Sequence, residues 1–235
     1  MSASNSLPCF MQTRCNLFCD FISCILATTL LAILVLPSIS AADEIQKLSF
    51  SAESIIRWEI KSFKGETVYK IISDNGRKVI QADSKSTASG LFKKVSLDPA
   101  SFRYLRWSWK IKNTIPVGFE SKKNGDDYAA RVYVIFPGRF FWHTKAINYI
   151  WANHLPKGQI IPNAFSANAM MVAVESGPDQ TGKWIFEERD ILTDYRKLFG
   201  SEPHEIGAIA IMTDTDNTGT EATAWYGEIS IGSQK

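Results

Sequence analysis

Two short acidic stretches hold the residues whose types and spacing could do chemistry. In "DTDNTG" (Asp214–Gly219) two carboxylates, one residue apart, leave an apolar run and enter a turn. The pattern D-x-D-x-T-G fits an EF-hand loop at its first, third and sixth positions. The twelfth position is Trp225, where a bidentate Glu would be needed, so an EF-hand is excluded. Three readings stay open. Asp214 and Asp216 could bind calcium together with a backbone carbonyl, they could belong to a ligand site, or Asp216 or Asn217 could simply cap an Asx turn.

The second stretch, "DDYAARVYVIF" (Asp126–Phe136), alternates as a strand does. Tyr128, Ala130, Val132, Val134 and Phe136 take one side, and Asp127, Ala129, Arg131, Tyr133 and Ile135 the other. Arg131 offers a planar fork suited to carboxylates, phosphates or sugar hydroxyls, and Tyr133 adds a ring and a hydroxyl. Asp127, Arg131 and Tyr133 are therefore candidate ligand-binding residues. The simpler expectation is a contact between Asp127 and Arg131, or between Arg131 and a Glu of the neighbouring strand, on a solvated sheet face.

A third polar group, Glu187, Glu188, Arg189, Asp190, Asp194, Tyr195 and Arg196, contains carboxylates that could act as acid and base. Mixed charge that blunts pairing at an edge strand explains the same residues more simply. Asp194 and Tyr195 join the candidate ligand-binding set. His143, His154 and His204 have no metal-site spacing, and no G-x-S-x-G, P-loop or G-x-G-x-x-G is present. Trp142, Trp151 and Trp225 fall near expected loops or strand ends, where a ring can stack on a sugar.

Strands must position these residues. "VYKII" and "KVIQA" flank Asn75-Gly76, a pair suited to the positive φ of a tight hairpin. "SIIRWEIKSF", "YLRWSWKIK", "AMMVAVES", "KWIFEERDI", "IGAIAIMTD" and "ATAWYGEISI" read as further strands. "IGAIAIMTD" is apolar at both parities, which predicts a strand covered on both faces. Helices are expected in "KAINYIWANHL" (Lys145–Leu155), with Ile147, Ile150 and Trp151 on one side, and in "LTDYRKLFG", ended by Gly200. The fold expected is all-β: an antiparallel β-sandwich, of jelly-roll type, with one or two short helices in loops.

The first forty-odd residues differ from the rest. An uncharged stretch from Phe21 to Pro37 precedes "SISAADE", which predicts a signal peptide over residues 1–42 and one sandwich domain over 43–235. An uncleaved inner-membrane anchor is the alternative, and Met11 is an alternative start. All four cysteines lie in this leader, so the mature chain is expected to fold without disulfides. The chain is 45% hydrophobic and 21% charged, and the mature part keeps a net charge of +2. No dense basic stripe suggests nucleic acid. The expected location is periplasmic or extracellular, with no membrane span in the mature chain.

"ASGLFKKV", "LRWSWKI", "DDYAARVYVIF", "YIWANHLPKG", "RDILTDYRKLFG" and "IAIMTDTDNTGTEATAWYGEI", in this order, resemble the bacterial domain of unknown function 3047. The resemblance runs through nearly all of the mature chain. It implies an exported or envelope protein of unassigned activity, with a jelly-roll sandwich similar to carbohydrate-binding modules. The polar blocks of that family correspond to Asp126, Asp127, Arg131, Asp194, Tyr195, Asp214, Asp216 and Asn217, and the family supplies no catalytic residues to carry over. The expected function is binding of an envelope polysaccharide, glycan or other polyhydroxylated ligand. A polysaccharide lyase or glycosidase on the same fold is the alternative, as is a structural envelope protein without a ligand. No cofactor is expected beyond calcium at Asp214 and Asp216.

Overall fold

A computed structural model describes residues 46–116 and 119–234; the predicted leader lies outside them. In chain order the elements are β1 (Lys47–Phe50), α1 (Ala52–Ile55), β2 (Glu59–Lys64), β3 (Val68–Asp74), β4 (Arg77–Lys85), β5 (Ala88–Leu97) and β6 (Tyr104–Ile111). They continue with β7 (Arg131–Phe136), β8 (Lys145–Ala152), β9 (Ile160–Pro162), β10 (Ala169–Ser176), β11 (Ile185–Asp190), α2 (Ile191–Phe199), β12 (Ile206–Asp214) and β13 (Glu221–Gly232).

These strands form a two-sheet, all-β sandwich. One sheet runs β11-β6-β13-β4-β3, with β1 pairing the far half of β13; the other runs β2-β5-β12-β7-β8-β10-β9. The chain changes sheet at β1–β2, β2–β3, β4–β5, β5–β6, β6–β7, β10–β11, β11–β12 and β12–β13, the weave of a jelly roll. Pairing is antiparallel except between β8 and β10, which run parallel. No helix among the described residues is long and apolar enough to cross a membrane.

Alternation decides which side chains enter the core. On β6, Leu105, Trp107, Trp109 and Ile111 are buried while the residues between them are half-exposed. Trp107 meets Tyr149 of β8 at 5.3 Å between ring centroids, and Trp109 meets Trp151 at 5.9 Å, so these aromatics join the two sheets. The outward row of β6 carries two ion pairs: Arg106 with Glu188 directly opposite on β11 at 2.7 Å, and Lys110 with Asp74 at the end of β3. The β3–β4 hairpin turns on Asn75 and Gly76, at φ 50° and 80°, as the Asn-Gly pair predicts. Helix α2 starts on Asp190, whose side chain accepts from the Thr193 amide, and ends on Gly200 at φ 63°.

Three local expectations are corrected. "KAINYIWANHL" is not a helix but strand β8. Its Ile147, Tyr149 and Trp151 face the core, and Ile150 and Ala152 pack with Met171 and Ala173 in a second apolar patch on the outer face. Cover on both faces makes both parities apolar, and such a run loses its two-residue signature. "SIIRWEIKSF" divides into the single turn α1 and strand β2. Strand β7 begins at Arg131, so the alternation does not extend back through Tyr128: that ring lies under the Arg131 guanidinium at 4.5 Å, within the outer patch.

Candidate ligand-binding site on the outer face of the seven-stranded sheet

Because Val132 and Val134 point into the core, Arg131 and Tyr133 project from the opposite face of β7. Register places Met212 of β12 opposite Arg131, and Asn148 of β8 opposite Tyr133. On β2 the register shifts between Ser62 and Lys64, and Phe63 at this bulge reaches Phe92 at 6.4 Å on the outer face. Phe63, Arg131, Tyr133, Asn148 and Met212, with Lys64, Ala88, Asp126, Asn163, Phe165, Ala169, Asp214, Asp216 and Asn217, line a cavity of about 490 Å³. Phe63 and Phe165 form exposed walls, and Arg131 and Asp214 a buried floor.

The floor is a fully engaged ion pair. Arg131 Nε donates to Asp214 Oδ1 at 2.7 Å and Nη2 to Asp214 Oδ2. Nη2 also donates to the Asp126 carbonyl, and Nη1 to the Tyr133 hydroxyl at 3.4 Å. Burial works against the charge on Arg131, but Asp214 and its other neighbours hold its proton firmly. Burial also pushes the Asp214 carboxyl upward, and Arg131 opposes it. Tyr133 is raised to about 12, chiefly by burial.

The expected contact between Asp127 and Arg131 is not formed. Asp127 instead braces the Asp214–Gly219 loop, accepting from the Thr218 amide at 2.6 Å, the Thr218 hydroxyl at 2.7 Å, and the Asn217 amide and side chain at 3.2 and 3.1 Å. The turn at "DTDNTG" is thus held by a carboxylate from the other acidic stretch, with Gly219 closing onto the Thr215 carbonyl at φ 70°. One carboxylate oxygen from each of Asp127, Asp214 and Asp216 lies within 4.8 Å of the others, which gives the calcium reading a geometric footing. The donors already bound to Asp127 and Asp214 oppose it, since a calcium ion needs six to eight oxygens and would have to displace them.

Asp194 and Tyr195 stand apart from this cavity. Asp194 accepts from both Arg189 Nε (2.9 Å) and Nη2 (2.6 Å) and from the Tyr149 hydroxyl (2.8 Å). It lines a separate cavity of about 270 Å³ with Glu187 and Lys157. Tyr195 packs against Phe136 at 4.6 Å and Phe199 at 4.7 Å. Among the tryptophans, Trp151 is core, Trp225 donates to Gln81 at 3.1 Å, and Trp142 is exposed and stacked on Phe140 at 4.9 Å.

The model of one family, described as a protein of unknown function (DUF3047), matches residues 56–230. The chain belongs to that family. No curated protein matches this DUF3047 member in sequence. Among solved structures it is similar to the K1 cleaved adhesin domain of Lys-gingipain from Porphyromonas gingivalis W83, at 12% identity, covering 81% of this chain and 99% of that one with a TM-score of 0.41. It is similar to a cellulose-induced protein, at 12% identity, 80% and 97% coverage and a TM-score of 0.46. A low-affinity xylan-binding module from Roseburia intestinalis gives 12% identity, 79% and 94% coverage and a TM-score of 0.32.

Of the seven candidate residues, the DUF3047 sandwich brings Arg131, Tyr133, Asp214 and Asp216 to one cavity, with Asp127 beside them as a brace. Alternation does not reveal Asn148, whose strand is apolar at both parities, or Phe63, whose direction is set by a bulge. Asp126, adjacent to Asp127, was visible as an acid but carried no sign that it would line the cavity.

Proposed function

We propose that this DUF3047 protein is an exported β-sandwich that binds a glycan, or a closely similar polyhydroxylated ligand of the cell envelope, in the outer-face cavity. The observation that carries the reading is the composition of that cavity. Exposed rings at Phe63 and Phe165 stand over a polar base of Asp126, Asn148 and Asn163. Sugars present the same combination, an apolar ring face bordered by hydroxyls, and the cavity volume lies in the ordinary range for small-ligand sites. The uncharged stretch from Phe21 to Pro37 supports export.

Binding fits the groups better than catalysis. A lyase needs a base such as Tyr133 or His143; Tyr133, raised to about 12, is held in its protonated form, and His143 does not line the cavity. Asp214 is tied on both oxygens by Arg131, which suits a rigid floor rather than a proton carrier. Phe63→Ala and Phe165→Ala provide the test, because both rings are more than half exposed and their loss should alter stability by no more than about 0.5 kcal/mol. Glycan-array or pull-down binding to envelope polysaccharides should weaken in both variants while thermal unfolding stays unchanged. Binding indifferent to both rings would count against the site.

A further inference from the structure

The outer-face cavity is unbalanced in both charge and hydrogen bonding. It is lined by Asp126, Asp214 and Asp216 against Arg131 and Lys64, with Asp127 directly behind. Arg131 has spent its Nε and Nη2 donors on Asp214 and the Asp126 carbonyl. Lys64 Nζ donates to the Asp216 carbonyl at 2.9 Å and lies 4.0 Å from its carboxylate. An anionic ligand would therefore meet a surplus of carboxylates and few uncommitted donors.

The unmet groups are acceptors. Asp126 Oδ1 and Asn148 Oδ1 are buried, 5% and 1% exposed as residues, and accept no hydrogen bond among the described residues; the charge facing Asp126 Oδ1 is Arg131 Nη1, at 3.6 Å and too far to donate. A buried acceptor without a donor is costly, so two in one cavity call for a donor-rich ligand. Burial raises the Asp126 carboxyl even with the Arg131 guanidinium beside it, and a second cation would oppose that rise. The exposed ring of Phe63 adds a face that attracts cations, while the Phe165 ring already carries Lys123 Nζ at 5.2 Å.

Resting on the glycan reading above, we propose that the preferred ligand is an amine-bearing sugar whose ammonium group sits among Asp126, Asn148 and Asp216, and that uronate-containing glycans are rejected. An ammonium brings three donors and one positive charge to a site short of both.

The test is calorimetric titration of the full chain at low salt with three oligosaccharides of equal length: β-linked glucosamine, its neutral glucose counterpart and an oligouronate. The glucosamine oligomer should bind roughly tenfold or more tightly than the neutral one, and the uronate most weakly. The preference should fall when the pH is raised past the amine's own pKa, and in Asp126→Asn. The exposed change Lys64→Ala should increase the ratio of amine to neutral binding, which keeps the test decisive if Asp126→Asn fails to fold. Equal binding of the amine and neutral oligomers, or preference for the uronate, would overturn the ammonium assignment while leaving a glycan site in place. Spermidine binding as tightly as the glucosamine oligomer would overturn the sugar part. Failure of all three oligosaccharides to bind would overturn both the assignment and the reading beneath it.

Discussion

Arg131→Met should be among the most destabilising single changes in this protein. Arg131 is 3% exposed and Asp214 2%, and the guanidinium engages both carboxylate oxygens. Methionine fills much of the volume but leaves the Asp214 carboxylate buried without its counter-charge. Removing one partner of such a pair costs about 3–5 kcal/mol, a large fraction of the roughly 5–15 kcal/mol that holds a domain folded. With a urea slope of about 2 kcal/mol/M, a loss of about 4 kcal/mol moves the unfolding midpoint down by about 2 M. The double variant Arg131→Met/Asp214→Leu removes both charges and should recover much of that loss, because the desolvation cost of the orphaned carboxylate disappears with it. Urea denaturation followed by tryptophan fluorescence measures all three proteins. A single-variant shift equivalent to less than about 1 kcal/mol, or a double variant showing the plain sum of two losses, would refute the assignment of Arg131 and Asp214 as one coupled unit.

Two further outcomes follow from neighbouring features. Asp127→Ala should cost about 1–3 kcal/mol and accelerate amide exchange at Asn217 and Thr218, the groups whose amides it accepts; unchanged exchange there would contradict the bracing role. Glu187, raised to about 7 by burial, keeps its proton in the folded state to higher pH than its ordinary value of 4.5 allows in the unfolded chain. The folded state then binds more protons between these values, so stability should fall as pH rises through that window. Relative to Glu187→Gln, which cannot titrate, the native protein should lose about 1–2 kcal/mol across it after allowance for screening, and parallel stability profiles would contradict this.

Local chemistry was the legible part of the sequence. The β3–β4 hairpin could be read because Asn75 and Gly76 must supply positive φ, and β6 because its tryptophans alternate with polar residues. Helix α2 carried its own stop at Gly200. The site was only half legible. Arg131 and Tyr133 stood out by type, and their shared face followed from alternation. The partner of Arg131 lies 83 residues away, so the short spacing to Asp127 pointed to the wrong carboxylate. Asn148 was hidden because β8 packs apolar side chains on both faces, so neither period marks it as a strand.

The most direct measurement of the central claim is an amide chemical-shift map of the isotope-labelled protein titrated with a bound oligosaccharide. Saturable shifts should cluster at Lys64, Ala88, Asn148, Ala169 and Asn217, which surround the outer-face cavity. Saturable shifts confined instead to the opposite sheet, around Arg77, Trp184 and Glu228, would contradict it.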